Sequence, residues 1–161
     1  MRNDRFEQLY AEHAQALFGF LSYRTGDSVL AEDLLADTFE RALRARSRFD
    51  PRRASEKTWL YAIALNCLRD HSRRRSTEIR ALERVASGAG PGLTDEMEEV
   101  SDRDLISRNL VVLTELEREA IALRFGAGLT VPEIAKLTAE PLTTMEGRVY
   151  RALRKLRDAM G

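Results

Sequence analysis

Apolar residues in this chain recur at steps of three and four, and no stretch alternates apolar with polar side chains for long enough to line one face of a strand. The spacing places them on helix faces, so the sequence predicts an all-α protein. Gly and Pro number only 9 and 4 in 161 residues, which leaves few interruptions to helical runs. Phe6, Leu9, Tyr10, His13, Leu17, Phe20 and Leu21 share one face of a first helix running to about Arg24. His13 lies inside that stripe and reads as a packed histidine rather than a catalytic one. Thr25-Gly26-Asp27-Ser28 breaks the helix, and a second opens behind Asp and Ser capping candidates with Leu30, Leu34, Leu35, Phe39, Ala42 and Leu43 inward. Phe49-Asp50-Pro51 ends it, because the residue before a proline is pushed out of the α region. A third helix from about Glu56 carries Leu60, Ile63, Ala64, Cys67, Leu68 and His71 on one face and ends in Arg73-Arg74-Arg75.

Further on, Gly88, Gly90, Pro91 and Gly92 precede the acidic run DEMEEVSDRD, with few apolar residues to offset the entropy of ordering. Residues 77–104 therefore read as a flexible acidic linker between two small helical domains, 1–76 and 105–161. In the second, Leu105 to Phe125 gives one or two helices, closed by Gly126-Ala127-Gly128. Thr130-Val131-Pro132-Glu133 then has the spacing of a capping box, in which each side chain satisfies an orphan backbone donor of the first turn. A short helix from Pro132 to about Thr138, a turn at Ala139-Glu140-Pro141, and a longer helix from about Leu142 to Ala159 make a helix-turn-helix. Leu142, Met145, Val149, Ala152, Leu153 and Leu156 are expected to point inward.

The 26 basic and 26 acidic residues cancel overall but not locally. Residues 1–75 hold 14 basic and 11 acidic side chains, 76–104 hold 3 and 8, and 105–161 hold 9 and 7. Two mildly basic ends thus flank an acidic middle, and local stripes govern binding more than the total does. Cys67 is the sole cysteine, so no internal disulfide forms, and with only two histidines a metal centre is not expected. No window approaches the roughly 18 apolar residues of a membrane span, and charges interrupt the N-terminus where a signal peptide needs an apolar core. A cytoplasmic protein without membrane insertion is the expectation. No glycine-rich phosphate loop, nucleophile elbow or singled-out carboxylate pair is present, so neither catalysis, a cofactor nor a small-molecule substrate is expected.

Two surfaces suit nucleic acid. In the last helix Gly147, Tyr150, Arg151 and Arg154 lie opposite the apolar stripe, and no acid falls between Gly147 and Lys155. That face fits a major groove, although a solvated charged face would have the same composition. In the third helix Trp59, Asn66, Arg69 and Arg73 follow one stripe, which offers an unstacked base a flat apolar surface and a hydrogen-bonding edge beside cations. Trp59 also reads as a plain core residue, and the arginines also suit the negative end of a helix dipole.

Three motifs in order resemble the sigma factors of bacterial RNA polymerase, of the small extracytoplasmic-function type. AEDLLADTFERAL (31–43) resembles the helix by which sigma factors grip the clamp of the polymerase, and TWLYAIALNCLRDHSRR (58–74) resembles the segment that reads and melts the promoter element near minus ten. LTELEREAIALRFGAGLTVPEIAKL (113–137) resembles the start of the second sigma domain, whose helix-turn-helix reads the element near minus thirty-five. The resemblance implies that Asp37, Thr38 and Arg41 face core polymerase, that Asn66 meets a flipped promoter base, and that Arg69 and Arg73 support the single strand beside Trp59. It implies further that Thr144, Glu146, Gly147, Arg148, Tyr150, Arg151 and Arg154 lie on the surface that reads the upstream element. Core RNA polymerase, promoter DNA and an anti-sigma protein are the implied partners.

The sequence departs from that pattern at Ala139 in place of a turn glycine, Glu140 in place of an apolar residue, Glu146-Gly147 in place of a small-and-basic pair, and Glu56 in place of an aromatic. Two other readings remain at this point. One is a free-standing helix-turn-helix regulator, and the other is a sigma-like partner-binding protein whose DNA contacts have weakened.

Overall fold

The computed structural model describes residues 1–85 and 112–161 of the chain, and among them every regular element is helical. The core of the expected linker, and the expected helical segment from Leu105 up to residue 111, lie outside the described residues. Helix α1 (Asn3–Thr25) closes on Gly26, whose φ of 67° is the left-handed geometry that a glycine adopts without Cβ strain. Asp27 then starts α2 (Ser28–Ala45) by accepting hydrogen bonds from the Val29 and Leu30 amides. A 3-10 turn over Arg46–Arg48 leads through the Pro51 loop to α3 (Glu56–Val85). The second unit holds α4 (Glu115–Ile121), a π-type turn over Ala122–Gly126, α5 (Val131–Thr138) and α6 (Leu142–Met160).

The Thr130–Glu133 capping box forms as its spacing predicts, with reciprocal bonds of 3.3 and 3.0 Å. Thr114 and Glu117 close a second one ahead of α4 at 3.2 and 2.9 Å. That box carries the same Thr-x-x-Glu signal, which the sequence reading passed over.

Leu9, Leu17, Phe20 and Leu21 of α1 pack against Ala31, Leu34, Phe39 and Ala42 of α2 and Leu60, Tyr61, Ala64, Leu65, Cys67 and Leu68 of α3. Phe20 meets Tyr61 edge to face at 5.5 Å. Glu56, where an aromatic was the familiar residue, is an ion-pair partner: Arg5 Nε donates to its Oε2 over 2.9 Å and ties α1 to the start of α3. His13 sits half-buried beside Glu12, and burial pushes its imidazole pKa down, consistent with a packing role.

This core does not stop at the first unit. Leu123, Leu129, Ile134, Ala135, Met145 and Val149 belong to the same continuous apolar cluster, joined where α3 meets α5 and α1 meets the π-type turn. Polar contacts border the seam. Thr58 Oγ1 donates to Glu133 Oε2 at 3.0 Å, Arg24 approaches Glu119 at 3.6 Å, and the Lys136 ammonium donates to the Arg53 carbonyl. Tyr23 of α1 packs with Ile121 against Leu113 and Ala152.

Some expectations are corrected. Helix α3 runs ten residues past Arg75, so the boundary drawn at residue 76 falls inside a helix, and Arg73-Arg74-Arg75 are helix interior rather than a cap on a dipole end. The reason is composition, because Ser76 to Val85 contains good helix formers and neither Gly nor Pro. Leu43, Leu142 and Leu153, expected inward, are each at least 40% exposed, and Tyr10 is half-exposed. They lie at the margins of their stripes, where the buried face of a surface helix gives way to solvent.

Candidate nucleic-acid and partner interface

On α2, Asp37 and Arg41 are one turn apart and half-exposed, with Arg41 Nη2 3.2 Å from Asp37 Oδ2. Arg41 Nη1 also donates to Asp70 Oδ2 of α3 at 2.8 Å, so one guanidinium is aimed by two carboxylates on two helices. The Asp70 bond raises the Arg41 pKa, and Arg41 in turn holds the Asp70 carboxyl below its ordinary value. Thr38, expected on the same surface, is fully buried, and its hydroxyl donates to the Leu34 carbonyl at 2.7 Å. It cannot touch a partner. A threonine satisfies itself in this way within a helix, which lets it join an apolar stripe.

On α3, Asn66, Arg69 and Arg73 are all exposed and follow one another at steps of three and four, on one face. Arg74 and Arg75 are exposed as well. Trp59 is half-buried at the near end of the stripe, its ring tilted against Phe49 with centroids 5.1 Å apart. Trp59 is thus packed as a core residue would be and is only partly exposed.

In the helix-turn-helix the link between α5 and α6 passes through Ala139 at φ 56°, the only non-glycine residue in the left-handed region among those described. The Glu140 amide donates back to the Ala135 carbonyl at 2.9 Å and closes α5. Along α6, Met145, Val149 and Ala152 are buried, while Thr144, Glu146, Tyr150, Arg151 and Arg154 are exposed. A Cβ at Gly147 would meet only the tip of the flexible Arg151 side chain, 3.0 Å from Nη1, which can swing away.

The cations of α6 are not equivalent. Arg148 donates to both carboxylate oxygens of Glu140, at 2.8 and 2.7 Å, and its side chain is only 13% exposed. Lys155 donates to Glu117 Oε1 at 2.7 Å. Burial by itself would raise the Glu117 carboxyl, but Lys155 and the Thr114 amide and hydroxyl outweigh it and bring the pKa to about 2. Among the described residues no acid pairs with Arg151 or Arg154. Tyr150, Arg151 and Arg154 are therefore exposed together, with Arg148 set back from them. Neither acidic partner was foreseen, because residues eight and thirty-eight positions away meet only through the fold.

No described helix is long and apolar enough to cross a membrane, and no cluster of metal-ligating side chains occurs among the described residues.

Residues 9–78 match the family model of Sigma-70 region 2, and residues 103–156 match that of Sigma-70, region 4. The chain is 34% identical to the RNA polymerase sigma factor CarQ of Myxococcus xanthus, over 98% of this chain and 90% of that one. It is 29% identical to the ECF RNA polymerase sigma factor BldN of Streptomyces coelicolor over 95% of its own length, and spans 59% of that longer relative. Among solved structures, the sigma factor RpoE from Bartonella quintana, seen with the anti-sigma factor NepR, superposes with a TM-score of 0.79 over 97% of this chain and 96% of that one, at 24% identity. That likeness is one of fold.

Proposed function

The chain belongs to the extracytoplasmic-function sigma factors, promoter-directing subunits of RNA polymerase in the sigma-70 family, and from that premise we propose how its surfaces divide the work. The exposed face of α2, with Asp37 and Arg41, docks on core polymerase. The stripe of Trp59, Asn66, Arg69 and Arg73 on α3 takes the melted strand of the minus-ten element, base against ring and amide, phosphate against guanidinium. The α5–α6 unit enters the major groove of the minus-thirty-five element with Thr144, Glu146, Tyr150, Arg151 and Arg154 outward. Gly147 lies on the same helix beside them.

The observation that carries this reading is the order of the two sigma segments along a chain whose exposed cations fall on both corresponding helices. Polymerisation chemistry comes from core enzyme, so the chain works in the cytoplasm without catalytic activity of its own. An anti-sigma protein, implied by the sequence resemblance, is the proposed regulator.

Purified chain added to sigma-free core polymerase tests the reading. Promoter-dependent transcripts from genomic fragments are the expected result. Association with core polymerase but no change in where synthesis begins would defeat it.

A further inference from the structure

We propose that Glu140 is a specificity-determining residue of the helix-turn-helix: it keeps Arg148 inside the protein and so withdraws that charge from DNA, leaving Arg151, Arg154 and Arg157 as the exposed arginines of α6 that no acid holds among the described residues. The inference rests on the reading that this unit binds duplex DNA, and it assigns the charges within that surface.

Three observations converge. The left-handed turn at Ala139 and the Glu140 amide bond to Ala135 fix the backbone from which the carboxylate projects. From there it meets Arg148 in a two-pronged pair, the geometry in which a planar guanidinium and a carboxylate bind most strongly. The pair is also sheltered, with Arg148 at 13% and Glu140 at 28% side-chain exposure.

For Arg148 to reach a phosphate it must abandon both bonds and strand an acid at the turn, beside the approaching polyanion. Retaining the pair instead presents DNA with a neutral unit. Arg69 of α3 adds to the hold by lowering the Glu140 carboxyl further, after the larger effect of Arg148 itself. With one fewer phosphate anchor, the unit grips any duplex less tightly, and a larger share of its binding falls to base contacts made by the outward side chains.

The test measures binding of the full chain to a mixed-sequence DNA duplex across salt concentrations. One phosphate contact contributes about 0.9 to the slope of log affinity against log salt. Arg151→Ala should flatten the slope by about that amount, and the double variant Glu140→Leu/Arg148→Ala, which removes the neutral pair whole, should leave it unchanged. Glu140→Leu, which removes both acceptors that Arg148 uses in the structure and keeps bulk at the turn, should steepen it by about 0.9, so that its advantage over wild type shrinks roughly threefold to fourfold between about 50 and 200 mM salt. Adding Arg148→Ala to Glu140→Leu should abolish the gain. Glu140→Gln, nearly isosteric, should steepen the slope in the same direction and guards against a misfolded leucine variant.

Flattening by the Glu140→Leu/Arg148→Ala double variant as large as that by Arg151→Ala overturns the proposal while leaving the duplex-binding reading intact, and Glu140→Gln/Arg148→Gln gives the same comparison where the leucine variants fail to fold. Failure of the wild-type chain to bind the duplex at any salt concentration overturns the duplex-binding reading and the proposal together.

Discussion

Glu133 serves two partners at once: its Oε1 accepts the Thr130 amide that opens α5, and its Oε2 accepts the Thr58 hydroxyl of α3, in the other unit. One carboxylate therefore sets the start of the helix-turn-helix and its seat on the first unit. Glu133→Ala should cost about 2 kcal/mol, from a lost cap and a lost charge-assisted bond. Thr58→Val should cost about 1 kcal/mol, and the double variant should fall short of the sum by about that amount. Denaturant unfolding of the four proteins measures this, and strict additivity would refute the contact.

Glu117 makes stability depend on acid. Its folded pKa of about 2 lies below the ordinary carboxylate value of 4.5, so the unfolded chain takes up its proton first as pH falls. The stabilisation is complete above about 4.5 and is lost progressively as pH drops toward about 2, amounting to about 3 kcal/mol. Glu117→Gln should remove that part of the pH dependence and lower stability at neutral pH. Thermal melts at stepped pH read it, and parallel curves for the two proteins would contradict it.

Arg41 and Asn66 should separate two steps of initiation. Arg41→Ala is expected to weaken association with core polymerase about tenfold, whereas Asn66→Ala should leave that association intact and reduce promoter opening. Arg41 also pins α2 to α3 through Asp70, so Asp70→Asn is the control. It loosens the same pin while sparing the α2 surface. Core-binding titrations and permanganate footprints of the melted strand provide the readouts, and equal effects of both changes on both steps would remove the division of labour.

Arg73 is an exposed α3 residue well inside its helix. Arg73→Ala should therefore leave the melting temperature within about 1 °C, since surface changes rarely exceed about 0.5 kcal/mol, and should reduce affinity for single-stranded promoter DNA. A stability loss without a binding loss would return Arg73 to a structural role.

The helices were legible because their causes are local. Apolar spacing, Asp27, Gly26, Pro51 and the Thr130–Glu133 box each act within a few residues, and each stands in the structure as expected. The burial of Thr38 was legible too, since it follows Leu34 by one turn in the same stripe, but the family resemblance assigned it to the polymerase-facing surface. The ends of stripes were less readable, as Leu43, Leu142 and Leu153 illustrate. What sequence could not disclose were pairings made by the fold: Glu140 with Arg148, Glu117 with Lys155, Arg41 with Asp70, and Thr58 with Glu133. Of the residues expected at DNA or polymerase, the exposure of Asn66, Arg69, Arg151 and Arg154 followed from periodicity, whereas the tethering of Arg148 followed from a turn whose shape no spacing rule records.

Because the apolar cluster runs unbroken from α1 and α3 into α5 and the π-type turn, parting the two units is a wetting event. Oil-like surface meets water along the whole join, so the opened form should carry a larger heat capacity than the closed one, and warming and cooling should shift the balance differently from added salt. Any partner that spread these helices apart would have to cover that surface again, or bear the hydration of it for as long as the chain stayed open.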